Sequence, residues 1–190
     1  MVYVGGTYSP MRHSYPRFLA ACALLACAGL AAVSANPVHA AARPGRYPGA
    51  TPAVTDQLVD EMLQLLNVDR ASAGRAALTL DRHLMTLAAD HSRDMAARHY
   101  VSHTAPGDRD VFARFTRAGI QFDDAAENIG RIGGRPPKVE IAALNAAMMA
   151  EPLDGASHHD NIVDTQLHRV GIGLYIGLDG SMYLTEDFTD

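Results

Sequence analysis

The sequence predicts an α+β domain in which helices pack on an antiparallel sheet. Apolar side chains recur at helical spacing in successive stretches between Thr55 and Met149, whereas from Val170 to Phe188 the period shortens to two. A turn at Asp179-Gly180 divides that last region into two runs, the pattern of a C-terminal β-hairpin. Helices followed by a hairpin need a shared core, so the sheet holds more strands than the alternation reveals.

The first helix is expected from an N-cap at Thr55, with Val59, Met62, Leu63 and Leu66 on one face, to about Arg70, followed by a turn at Gly74. A second begins after Asp81 and buries Leu84, Leu87, Ala88, His91 and Met95, leaving Asp90, Arg93 and Asp94 outside. A short helix over Asp110 to Arg117 buries Val111 and Phe115 and stops at Gly119. Pro136-Pro137 opens the next, with Val139, Ala142, Ala143, Ala146 and Met149 as its inner stripe and Glu151 at its end. In the hairpin, Val170, Ile172, Leu174 and Ile176 alternate with glycines and Tyr175, and Met182 to Phe188 returns.

Composition bounds the function. The chain has 190 residues, 48% hydrophobic and 19% charged, with a formal net charge of -5. That describes one globular domain, and the absence of a Lys/Arg-rich block disfavours a nucleic-acid partner. Arg12 and Arg17 precede an uncharged apolar run from Phe18 to Val33, and Val38-His39-Ala40 offers a cleavage site, so residues 1–40 read as a signal peptide, with Met11 an alternative start. The run is shorter than the roughly 20 residues that span a bilayer. Export to the envelope or medium follows; Leu24-Leu25-Ala26-Cys27 leaves open a lipoprotein anchored through Cys27. Cys22 and Cys27 both lie in this leader, which makes the mature domain cysteine-free and rests its stability on packing. Residues 41–53, rich in Pro, Gly and Ala, read as a linker to a domain over 54–190.

The chemistry-bearing residues are His103, Glu127, Glu151 and His158, two imidazoles and two carboxylates on separate loops and helix ends that one polar cleft could gather. Neutral imidazoles suit a divalent cation such as zinc, with carboxylates as ligands or as partners of the ring N–H groups. An open zinc site would activate water. Each residue also has a plainer reading: His103 as a surface-loop histidine, Glu127 as a structural carboxylate, and His159 exchanged for His158. A carboxylate at Glu151 opposes its helix dipole and calls for a nearby cation. His91 reads as a core histidine, Met148 and Met149 as core and cleft wall, and Glu186 and Asp187 as solvent-facing strand carboxylates. Asn128 and Asn161 read as partners of loop backbone groups. His-Glu-x-x-His, Gly-x-Ser-x-Gly and a phosphate-cradling glycine loop are all absent from the sequence, and Ser92 or Ser102 beside a histidine is weak ground for a triad.

Asn67 and Arg70, His91-Ser92-Arg93-Asp94-Met95, Ser102-His103, Glu127-Asn128-Ile129, His158 three before Asn161-Ile162, Val170-Gly171-Ile172-Gly173 and Thr185-Glu186-Asp187-Phe188 stand in an order that resembles the CAP superfamily. That superfamily comprises the cysteine-rich secretory proteins, antigen 5 and pathogenesis-related 1 proteins, with bacterial members called SCP-domain proteins. The resemblance covers about residues 55–190. It implies a three-layer α-β-α sandwich whose cleft holds His103, Glu127, Glu151 and His158. Three departures stand out: Met148 replaces the tryptophan of a Trp-Tyr-Ser-Glu-like segment, the step from Glu151 to His158 is a short seven residues, and Glu186 replaces a common glutamine. The family has no single agreed reaction. The sequence therefore leaves open whether the chain is an enzyme, and ranks a binding module for a lipid, sterol or protein first. A metal-dependent hydrolase of envelope or extracellular polymers stands second, and a vestigial or purely structural metal site with surface-mediated contacts third.

Overall fold

The computed structural model describes residues 3–4, 52–107 and 110–190. The leader apart from Tyr3–Val4, its cleavage site, Cys22, Cys27 and the linker up to residue 51 lie outside the described residues. In chain order the elements are β1 (Tyr3–Val4), α1 (Pro52–Ser72), β2 (Thr79–Leu80), α2 (Arg82–Arg98), α3 (Val111–Arg117), β3 (Ala125–Gly133), α4 (Pro137–Met149), α5 (His158–Val163), β4 (Arg169–Ile176) and β5 (Ser181–Thr189). Among the described residues no helix is long and apolar enough to cross a membrane.

The sheet order is β1-β3-β5-β4-β2. The three long strands β3, β5 and β4 are antiparallel as expected, with Glu127 opposite Asp187 and Gly171 opposite Asp187 on the other side. The sheet as a whole is mixed, because the two-residue β2 joins β4 in parallel. A parallel neighbour needs a long crossover, and the chain between β2 and β4 supplies it with α2, α3, β3, α4 and α5.

Helices cover both faces, giving three layers. On one face α1, α4 and α5 enclose the larger core with Met62, Leu66, Ile141, Leu144, Met148, Val170, Ile172, Leu184 and Phe188. On the other, α2 and α3 bury Leu84, Val111 and Phe115 beside Ala125, and Met95 beside Ile129 and Tyr183. The glycines of β4 set how closely α2 lies. A Cβ on Gly171 would fall 2.1 Å from the backbone carbon of Leu84, and one on Gly173 2.1 Å from that of Ala88, so only glycine admits the helix there.

Local signals explain most boundaries. Asp81 caps α2 by accepting from the backbone N–H groups of His83 and Leu84, and Asp110 caps α3 through Ala113. Thr55, expected as an N-cap, lies inside α1, which starts earlier at Pro52, a residue suited to the first helical turn because its missing N–H needs no partner. The inner stripe of α4 differs from the one expected: Glu140, Ile141, Leu144, Asn145 and Met148 are buried, whereas Val139 is 46% exposed. The alanines at 142, 143 and 146 satisfy helical spacing, but Ile141, Leu144 and Met148 satisfy it too and remove more apolar area from water. The solvent-facing reading of Glu186 and Asp187 is also overturned. Both are 0% exposed, since a sheet sandwiched between helices has no wet face.

Two polar side chains of α1 anchor the surrounding backbone. Asn67 brackets the backbone of Leu78, accepting from its N–H at 2.7 Å and donating to its carbonyl at 3.1 Å. Arg70, 1% exposed, donates to the carbonyls of Ala76, Ile162, Asp164 and Leu167, tying α1 to the chain after α5. Their part in the family-like pattern is architectural.

Candidate functional site

The four predicted site residues meet as two histidine–carboxylate pairs at the start of β3. In the first, His103 Nδ1 lies 2.7 Å from Glu127 Oε1. Glu127 is 0% exposed, and its other oxygen accepts from Arg114 of α3, whose second arm donates to the His103 carbonyl at 2.6 Å. Arg114 thus clamps both the carboxylate and the histidine loop. Asp187 faces Glu127 across the strand pair. Burial, then the neighbouring Glu127 charge, holds the Asp187 carboxyl well above the ordinary carboxylate range. Burial pushes Glu127 up to about 7 while Arg114 and the Asp187 bond pull it back. Burial, and then the Arg114 charge, lower His103 to about 4, leaving a neutral imidazole.

The second pair is built at a helix junction. Glu151 follows the end of α4, where the dipole opposes a negative charge. The compensation comes from α5: its first residue, His158, donates its backbone N–H to Glu151 Oε2 at 2.9 Å, and His158 Nδ1 lies 2.9 Å from both carboxylate oxygens. α5 is itself fixed by a capping box between Ser157 and Asp160. His159 meets the Glu151 carbonyl at 3.1 Å, so His158 is the histidine that pairs with the carboxylate. Glu127 and Asn128, neighbours on a strand, point to opposite faces. Glu127 belongs to the first pair. Asn128 holds the second, donating to the His158 carbonyl at 3.3 Å and accepting from Asn161 at 2.8 Å.

The remaining candidates are structural. His91 is a core histidine, 4% exposed, with Nε2 3.0 Å from the Ser102 carbonyl, and burial lowers it to about 3. Ser92 Oγ lies 2.9 Å from the Gly173 carbonyl and 2.8 Å from Thr185 Oγ1, deep between α2 and the sheet, and Ser102 Oγ accepts from the Thr104 N–H. Neither serine meets a histidine ring as a nucleophile would. Met148 is core, at 0% exposure. Glu186 is pushed up to about 8 by burial, against one bond donated by the Asn128 amide at 3.1 Å.

Sequence reading missed Arg114 and Asp187. The signal for Arg114 was present: it shares a helical face with Val111 and Phe115, and an arginine on an apolar face announces a buried carboxylate. Asp187 needed knowledge that both sheet faces are covered.

A divalent metal fits the donor chemistry, since each imidazole has Nδ1 bound to a carboxylate, the partner that orients a metal-ligating histidine. Among the described residues, no three or more His, Cys, Asp or Glu side chains are grouped to hold an ion.

At the far end of β3, about 13 Å from Glu127 at ~3.3 Å per residue, an open groove of about 500 Å³ lies between the end of α2 and the β3–β5 pair. Tyr100, Val101, Arg131, Gly133, Asp179 and Tyr183 line it. Sequence reading did not find it, because the lining comes from three distant stretches.

Comparison with known proteins agrees with this architecture. An extracellular protein containing an SCP domain from Bacillus anthracis superposes with a TM-score of 0.58 at 23% identity, over 70% of this chain and 40% of that one. This chain therefore corresponds to less than half the length of that protein. An outer surface protein of Borrelia burgdorferi superposes with a TM-score of 0.61 at 15% identity, over 72% of this chain and 94% of that one. No curated protein matches. The cysteine-rich secretory protein family, CAP, matches residues 63–188, the span from the middle of α1 to the end of β5 that holds both pairs and the groove, and the chain belongs to that family.

Proposed function

We propose that the protein is an exported CAP/SCP domain acting as a binding module at the cell envelope or outside the cell, with the groove as its recognition site and a lipid, a sterol or a segment of another protein as its ligand. The observation that carries this reading is the division of labour along β3. The histidines and carboxylates that would do acid or base work are bonded in pairs, with Glu127 0% and His158 2% exposed. The open groove lies at the other end of the strand, with a size and a mixed aromatic and polar lining suited to a small ligand or a side chain. Export is supported by the leader-like residues 1–40 and by the extracellular and surface descriptions of the two superposed proteins.

The test is uptake of a fluorescent fatty acid and a fluorescent sterol by the wild-type protein, a His103→Ala/His158→Ala variant and a Tyr100→Ala/Arg131→Ala variant, each with its fold checked by circular dichroism. Uptake that survives the first change and falls with the second supports the reading. Release of soluble fragments from purified envelope polymer, abolished by Glu127→Gln in a folded protein, contradicts it and establishes the hydrolase instead.

A further inference from the structure

The groove adjoins a sheet edge. β3 is a nine-residue strand, and among the described residues the β1 segment on its outer side pairs with only Gly130 and Arg131. A long edge strand paired over two of its nine residues among those described is a template for another extended segment. The pairing already present shows what the edge accepts: Tyr3 opposite Arg131 and Val4 opposite Gly130, antiparallel. Residues in register across a sheet point to the same face, and Arg131 is also in register with Tyr183, which lines the groove. A strand residue opposite Arg131 therefore stands over the groove.

The groove's chemistry favours an aromatic residue there. The Arg131 guanidinium lies 5.3 Å from the centre of the Tyr183 ring, so its other planar face can take a second ring. The Arg131 side chain is 42% exposed and is held in place by Asp179 at 2.8 Å and Ser181 at 2.9 Å. Gly133 and Gly134 put no side chain on the rim, which leaves the backbone open to a neighbouring strand.

We propose that the outer edge of β3, Gly130–Gly133, is a strand acceptor for an extended peptide of a partner protein carrying an aromatic residue opposite Arg131, and that Tyr3–Val4 occupies this place until the segment bearing it is removed. The inference rests on the binding reading above and narrows its ligand to a peptide. Main-chain hydrogen bonds give the affinity and the groove gives the selectivity, the division that operates wherever a peptide extends a sheet.

The test uses the full chain with Val4→Pro, which fixes the backbone angle at residue 4 and bars its N–H from the β1 pairing. Backbone amide exchange is followed by NMR, and the probe is a synthetic peptide of residues 1–8. The variant should exchange faster than wild type over Gly130–Ile132, and the peptide should restore protection there. Its Tyr3→Ala version, and the peptide added to an Arg131→Ala protein, should each bind about tenfold more weakly, the factor for one lost cation–π contact. A folded Val4→Pro variant that the peptide does not protect overturns the proposal. If the groove still takes up the fluorescent lipid or sterol, only the strand-acceptor inference falls; if it takes up neither, the binding reading falls with it.

Discussion

The two histidine–carboxylate pairs use the same groups in unlike settings. Glu127 is wholly buried, gripped by Arg114 and opposite Asp187 across the strand pair, whereas the Glu151 side chain is 27% exposed and is held by His158 at the start of α5. A buried carboxylate depends on each of its partners, since losing one leaves charge in a low-dielectric interior. A partly wet one can substitute water. The first pair is thus a keystone between α3, the His103 loop and the sheet, and the second is a hinge between α4 and α5.

The largest expected effect follows from breaking the keystone. Arg114→Met should lower stability by about 3–5 kcal/mol, the cost of removing one partner from a buried ion pair, read from urea denaturation at pH 7. If Arg114→Met costs no more than a surface substitution, Glu127 is not held as described.

Glu186 sharpens the contrast from the other side, because it is buried beside the second pair with only an amide for company. Its carboxyl, ordinarily at 4.5, is raised to about 8, so the folded protein keeps a proton that the unfolded chain gives up. Stability from this group is full below pH 4.5 and falls as pH rises toward 8. Glu186→Gln should remove that slope and raise stability at pH 7 by on the order of 3 kcal/mol. An unchanged pH profile would show that the carboxyl is solvated.

The acid limb tests His103. Ordinarily at 6.5, it is lowered to about 4 in the fold, so the unfolded chain binds the proton first and stability falls as pH drops from 6.5 to 4. His103→Gln should flatten part of that fall, by on the order of 2 kcal/mol at pH 4, with His91 responsible for a further part at lower pH. The smallest effect belongs to the hinge. Glu151→Gln keeps an acceptor for the His158 N–H and should cost about 1 kcal/mol or less by thermal melting. A loss comparable to that of Arg114→Met would erase the distinction between the pairs.

The fold was legible where a local signal stood alone. Asp81 and Asp110 mark helix starts, and the Val170–Ile176 alternation with Asp179-Gly180 marks the hairpin. It was illegible where two patterns competed or none existed. The alanines of α4 mask its true buried stripe, and β3 carries Glu, Asn and Arg where a strand usually shows alternating apolar residues. α5 was not expected from the sequence: its six residues carry too little periodicity to be read as a helix, and its start is marked only by the Ser157–Asp160 capping box. Of the site, the four residues were readable in order, but not their pairing, the arginine that grips one pair, the buried Asp187 opposite Glu127, or the groove assembled by chain reversal.

The most direct test of the central claim is NMR shift mapping on the full chain as the fluorescent sterol, the fluorescent fatty acid and the residue 1–8 peptide are each titrated in. A ligand that binds should move Tyr100–Val101 and Arg131–Gly134 first, while His103, Glu127, Glu151 and His158 stay near their starting positions. Shifts concentrated at those four residues, with the groove silent, would contradict it and return the binding site to the histidine–carboxylate pairs.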